Sequence, residues 1–235
     1  MNTNIGMEKF EKDVIKVGKE GRDELAITFI KHSSFVIDYN GTFIYNDPIM
    51  RYVDFNALPK ADFIIISHEH SDHFNSLAVE ALKKEGTKIV SNKNVIDLLN
   101  EGIALANQEF CVLTDKIQLK AVAAYNTTSG RTHYHPRGRD NGYLLDIDGT
   151  VIYISGDTEY IPEMRDLANL IDLAFLSVNQ PYTMTIDQAT KAAIVINPRI
   201  LYPYHYGETN IQTPIEVLKE NLKEHNIELR IRQMQ

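Results

Sequence analysis

A short apolar block, Phe63-Ile64-Ile65-Ile66, runs directly into Ser67-His68-Glu69-His70-Ser71-Asp72-His73. The block has the length and composition of a buried strand. The seven residues that follow hold three histidines and two acids. On an extended chain, side chains two apart share a face. His68, His70 and Asp72 can therefore point one way, and a bend in the loop brings His73 alongside. Imidazole and carboxylate are ligands for zinc and similar divalent ions. A core strand that empties into four such groups narrows the choice of fold, because open α/β sheets bind ligands outside the carboxyl ends of their strands. The plain alternative is a polar loop whose histidines fall there by chance.

Two more polar clusters start where apolar strands stop. Val151–Ile154 runs into Ser155-Gly156-Asp157-Thr158, and Ile200–Tyr204 into His205. These segments carry a resemblance. His68-Glu69-His70-Ser71-Asp72-His73 matches the HxHxDH motif of the metallo-β-lactamase superfamily. Ile154-Ser155-Gly156-Asp157-Thr158 resembles that family's bridging-aspartate turn, and Pro203-Tyr204-His205-Tyr206-Gly207 its late histidine motif. The stretch from Asp157-Thr158-Glu159 to Pro162-Glu163-Met164, with Tyr182-Thr183-Met184, is similar to metal-dependent hydrolases near the ascorbate-6-phosphate lactonase-like branch.

The resemblance implies an α+β fold, the four-layer αββα metallo-β-lactamase sandwich, over residues 25–235. It implies that His68 and His70 belong to one metal site, that Asp72, His73 and His205 belong to a second, and that Asp157 bridges them. It also implies that Asp47, at the end of an early strand, supports the ligands from behind. One departure stands out. Where the family shows a third histidine, this chain reads Ala124-Tyr125-Asn126-Thr127-Thr128. Asn126 ligates weakly through its carbonyl, or His133 or His135 swings in from the following loop. His135-Pro136 resembles a His-Pro element of the nearest relatives, which favours His135. The cofactor expected is divalent metal, zinc first and manganese second, with one or two ions per chain.

Composition sets outer limits. A chain of 235 residues, 43% hydrophobic, is long enough for one domain with a substantial core. The single Cys111 rules out an internal disulfide and a cysteine-rich metal site. A net charge of −8 argues against a long nucleic-acid track. The polar first residues do not read as a signal peptide, and no apolar run is long enough to span a membrane. A cytoplasmic protein acting on a small molecule, with no nucleic-acid or membrane partner, is expected; oligomeric state is left open.

Along the chain, Met7, Phe10, Val14 and Val17 fall at helical spacing, so residues 1–24 read as an N-terminal extension with a short helix. Strands follow over 25–31, 35–38 and 42–45, turning at Asn40-Gly41. Asn75 caps a helix to Glu85, and Thr185 caps one to Ile196. Helices are also expected over Pro162–Leu170 and Pro214–His225. His32, between two strands, either faces the site as a substrate contact or is a polar residue at a strand end. The longest irregular stretch, 126–142, carries Arg131, Arg137 and Arg139 within nine residues. Guanidinium groups grip carboxylate and phosphate through a rigid fork. Arg137 and Arg139 therefore either hold an anionic substrate or pair with acids such as Asp140.

The chemistry implied is metal-assisted hydrolysis of a small, anionic lactone, ester or phosphoester. A divalent ion lowers the pKa of its water to about 7. Asp72 and His205 carry the catalytic roles, Asp72 as the acid that orients the water or shuttles its proton. Tyr182, Tyr204 or Tyr206 can donate to a developing oxyanion, or simply pack. Two other classes compete: a metal-dependent phosphodiesterase or nuclease, and a non-catalytic binding protein on a partly decayed site.

Overall fold

The computed structural model describes residues 6–18 and 21–234. The chain gathers into two compact units. One runs to Leu105 and includes Met234; the other runs from Ala106 to Gln233.

The sheet of the first unit has seven strands in sequence order. These are β1 Lys12–Val17, β2 Asp23–Lys31, β3 Ser34–Tyr39, β4 Thr42–Asn46, β5 Phe63–Ile65, β6 Lys88–Ser91 and β7 Ile103–Ala104. Neighbours from β1 to β4 are antiparallel, and those from β4 to β7 are parallel. Parallel neighbours need crossovers, and here two are helices: α1 Ser76–Leu82 and α2 Lys93–Leu99. Asn75 and Asn92 cap them by accepting from the backbone N–H three residues on. Ala78, Val79, Leu82 and Val95 pack with Val36, Tyr45, Ile64 and Ile89 to form this unit's helix-facing core.

The N-terminal helix expectation is overturned where the chain is described. Residues 12–17 are a strand paired with β2, from Lys12 opposite Thr28 to Val17 opposite Asp23. Ile15 and Val17 are buried while Val14 is 55% exposed. A period of two thus governs the segment, and the helical spacing that counted Val14 as core was coincidental. The rest of that expectation, at residues 1–5, 19 and 20, lies outside the described residues.

The second unit repeats the plan with β8 Phe110–Val112, β9 Ile117–Ala124, β10 Asp140–Ile147, β11 Thr150–Ile154, β12 Leu173–Ser177, β13 Ile200–Tyr204 and β14 Glu228–Leu229. Pairing is antiparallel from β8 to β11 and parallel from β11 to β14. Two helices, α3 Ile186–Ile196 and α4 Val217–Asn221, follow β12 and β13. Thr185 and Gln188 close a capping box at the start of α3.

Two helix expectations shrink here. Pro162–Leu170 becomes a 3-10 helix over Pro162–Leu167. Its buried residues, Met164 and Leu167, are three apart, which suits a three-residue turn. Pro214–His225 contracts to α4. Leu218 and Leu222 are its buried anchors, while Glu220, Lys223 and Glu224 face solvent, so little holds a longer helix together.

Parallel strands buried on both faces are near-continuous apolar runs. That describes β5, β12 and β13, every residue of which is buried. The polar residues of interest follow within three residues: Asp47 after β4, Ser67 and His68 after β5, Asp157 after β11, and His205 after β13. No helix among the described residues is long and apolar enough to cross a membrane.

Candidate metal centre

In the first unit, Asp47 organises the histidines. Its Oδ1 accepts from Ser67 N at 2.7 Å; its Oδ2 accepts from Ser67 Oγ at 2.9 Å and from His73 Nδ1 at 2.7 Å. All three residues are buried. The Ser67 proton is committed to Asp47, so Ser67 Oγ accepts from His68 Nδ1 at 2.9 Å. Both rings therefore carry their proton on Nδ1 and turn a lone pair outward on Nε2, the state a metal requires. Asp47, expected to support the ligands from behind, thus holds Ser67 and His73. Ser67 was not singled out by the sequence; its only signal is a hydroxyl directly before the motif.

The outward atoms converge. His68 Nε2 lies 2.9 Å from His70 Nδ1. Asp72 Oδ2 lies 3.7 Å from His73 Nε2 and 3.3 Å from His32 Nε2. The β2–β3 hairpin holds the Asp72 backbone too, through Ser33 Oγ donating to its carbonyl at 3.1 Å. The Asp72 carboxylate keeps 32% exposure, while His32 is buried.

In the second unit, Gly156 sets up Asp157. Its φ is +61°, and a Cβ there would stand 2.5 Å from the Asn141 carbonyl oxygen, so only glycine fits. The buried Asp157 carboxylate has a histidine at each oxygen. Oδ2 is 3.3 Å from His135 Nε2, and Oδ1 is 3.2 Å from His205 Nε2.

His135 reaches this position because its loop is tied down. Glu159 Oε2 accepts from Thr127 N at 2.7 Å, Thr127 Oγ at 3.0 Å and Thr128 N at 2.6 Å. Burial alone would push the Glu159 carboxyl upward, but these hydrogen bonds outweigh it and hold the group below the usual range. The sequence did not mark Glu159 for this work. His133, the other candidate, is exposed and stacks against Tyr134.

The substrate-binding candidates are placed less uniformly. Tyr182 is 38% exposed; its carbonyl accepts from Asn126 Nδ2 and its ring meets Tyr134 edge-on. Arg139 grips the buried Asp140 with both ends of its fork, at 2.6 and 2.8 Å, and donates to the Tyr134 carbonyl. Arg137 is 72% exposed, lies over the Tyr125 ring and pairs with Glu163 at 2.8 Å. Of the two alternatives for these arginines, Arg139 matches the pairing with Asp140. A cavity of about 150 Å³ elsewhere in this unit, lined by Lys120, Tyr153, Glu163 and Met164 among others, includes none of the candidate ligands.

The donor sets suit a divalent ion. Ligands about 2.0–2.1 Å from a tetrahedral zinc stand about 3.3 Å from one another. The Asp157–His135, Asp157–His205 and Asp72–His73 pairs lie at 3.3, 3.2 and 3.7 Å.

A model of the beta-lactamase superfamily domain matches residues 26–205. A UPF0173 metal-dependent hydrolase of Thermococcus onnurineus is 33% identical over 171 residues, 70% of this chain and 74% of that protein. A crystal structure described as that of a metal-dependent hydrolase from Parabacteroides distasonis superposes with a TM-score of 0.90 at 49% identity, covering 96% of this chain and all of the other. The metallo hydrolase Igni18 of Ignicoccus hospitalis, at 23% identity and a TM-score of 0.73 over 88% of this chain and 94% of its own, shares the fold.

Proposed function

The chain belongs to the UPF0173 metal-dependent hydrolases of the metallo-β-lactamase superfamily, and we propose from that footing that it cleaves a small anionic lactone, ester or phosphoester. Its fold is the metallo-β-lactamase fold, two mixed sheets with a few helices in the α+β class.

Candidate ligands are carried on both units: His68, His70, Asp72 and His73 on the first, His135, Asp157 and His205 on the second. Imidazole with carboxylate suits zinc first and manganese next. When bound, such an ion polarises a carbonyl or phosphoryl oxygen and lowers the pKa of its water to about 7.

The protein's own part is positioning and proton handling. Asp47 and Ser67 fix the tautomers of His73 and His68, and Asn126 does the same for His135. Asp72, the partly exposed carboxylate of the set, orients the attacking water and takes its proton. His205, beside Asp157, is the second catalytic group. Tyr182 is placed to meet substrate. Arg137 is the arginine offered to its negative charge, since a surface ion pair such as Arg137–Glu163 is weak enough to exchange. The proposed location is the cytoplasm.

The observation that carries this reading is the fixing of the tautomers. Ser67, Asp47 and Asn126 each occupy the Nδ1 of a candidate ligand, leaving Nε2 to face another. A screen of the zinc- and manganese-loaded protein tests it. Lactones, the substrates implied by the lactonase-like resemblance, should head the panel, followed by carboxylic and phosphate esters in anionic and neutral pairs. Turnover is expected for an anionic compound and should vanish with chelation. Turnover of neutral compounds alone would overturn the anionic-substrate proposal.

A further inference from the structure

We propose that His32 is a metal ligand, forming with Asp72 and His73 a three-residue site inside the first unit. This rests on the metal-dependent hydrolase reading and adds a ligand outside the HxHxDH motif.

Distance is the first argument. Two kinds of His–carboxylate contact occur among the described residues. His73 Nδ1 meets Asp47 at 2.7 Å, the length of a charge-assisted hydrogen bond. The pairs of candidate ligands Asp72–His73, Asp157–His135 and Asp157–His205 stand farther apart, at 3.7, 3.3 and 3.2 Å. His32 Nε2 lies 3.3 Å from Asp72 Oδ2 and so belongs to the second kind. One atom each from His32, Asp72 and His73 lies within 4.8 Å of the other two.

Backbone geometry is the second. Among the described residues, nine non-glycine residues have positive φ. Seven are Asn, Asp or Gln, Asp47 among them; the other two are His32 and His205. Asp47 and His205 are both candidate site residues. A two-residue hairpin turn favours Asn, Asp or Gly in this conformation, yet here it holds a histidine with only 1% of its surface exposed. Such cost concentrates where structure serves a site. The turn is also anchored, by His32 N donating to the Met234 carbonyl at 2.8 Å and by Ser33 Oγ on the Asp72 carbonyl. The substrate contact expected of His32 fits less well, because a ring this deeply buried presents almost no surface to a substrate.

The test is metal binding by the full-length chain. Co²⁺ is titrated into wild type, His32→Asn and His32→Gln, following visible absorption for coordination and chelator competition for affinity. Asn accepts the left-handed backbone, and Gln keeps an N–H that can reach Asp72 without an imidazole. Both variants are expected to lose at least tenfold in affinity at one site and to show an altered Co²⁺ spectrum. A variant with wild-type affinity and spectrum would make His32 a positioning donor only and overturn the assignment. Failure of wild type to take up Co²⁺ would overturn the metal-dependent reading itself. The zinc-loaded wild-type crystal structure decides without any variant: His32 Nε2 is expected about 2.1 Å from the ion, and a ring that makes no bond to it refutes the proposal.

Discussion

Asn126 and His135 are joined twice. Asn126 N donates to the His135 carbonyl at 2.9 Å, and Asn126 Oδ1 lies 3.3 Å from His135 Nδ1. The amide orientation is set by Nδ2, which donates to the Tyr182 carbonyl at 2.7 Å. Oδ1 must then accept, His135 keeps its proton on Nδ1, and Nε2 turns its lone pair toward Asp157. The residue standing where the resemblance leads one to expect a third histidine thus holds His135, the histidine proposed to replace it.

Asn126→Ala removes that acceptor and is expected to weaken divalent-metal binding by about tenfold, the effect of losing a group that orients a ligand. His135→Ala should weaken it more. Chelator competition on both variants measures the order. A larger loss in Asn126→Ala would make Asn126 the ligand.

Asp47 holds three donors at once. Asp47→Ala leaves Ser67 N, Ser67 Oγ and His73 Nδ1 without their buried acceptor, at a cost on the order of 3 kcal/mol. Urea unfolding of the metal-free protein should show that loss. In Asp47→Asn the oxygen can still accept from Ser67 N, but the amide nitrogen is a donor facing His73 Nδ1; the proton must then move to His73 Nε2, so part of the stability should remain while metal affinity falls between about tenfold and a hundredfold.

What was legible in the sequence follows from local physics. The apolar run before Ser67 read as a strand and is β5, and Asn75 and Thr185 read as caps and are caps, because these signals act over a few residues. β1 was misread because its partner β2 supplies the pairing, and a short segment with Val14 at the wrong phase fits a helix equally well. The roles of Ser67 and Glu159 were invisible because each depends on residues brought together by folding. Arg139 was ambiguous for a related reason. Its neighbour Asp140 can point either way until β10 places it in the interior.

Arg139 and Arg137 should therefore behave differently. Arg139→Ala removes the fork that matches the buried Asp140 carboxylate and should destabilise the protein by on the order of 3 kcal/mol. Arg137→Ala breaks an exposed pair and should change stability by less than about 1 kcal/mol. With a substrate in hand, Arg137→Ala should raise KM for an anionic compound far more than for its neutral analogue. Thermal melts and steady-state kinetics separate the two outcomes; equal KM effects remove Arg137 from substrate binding.

Glu159 predicts an acid-sensitive loop. Its carboxyl titrates below the usual range in the folded protein, so the folded state favours the charged form. That stability is fully present above the unfolded value of about 4.3 and disappears as pH falls through the lower folded value. The difference in unfolding free energy between wild type and Glu159→Gln should be largest near neutrality and shrink as the pH falls below the unfolded value and through the lower folded one. Backbone amides of Thr127 and Thr128, followed by hydrogen exchange, should lose protection over the same interval. A difference that stays constant with pH would mean that the charge on Glu159 does not hold the loop.

The proposed role of His68 and His70 is to bind a divalent metal ion needed for hydrolysis. Elemental analysis of the purified wild-type protein beside the His68→Ala/His70→Ala double variant tests it most directly. Wild type should carry about one to two divalent ions per chain, and the double variant should carry fewer while keeping its far-ultraviolet circular dichroism. A folded double variant with undiminished metal content would contradict the ligand assignment.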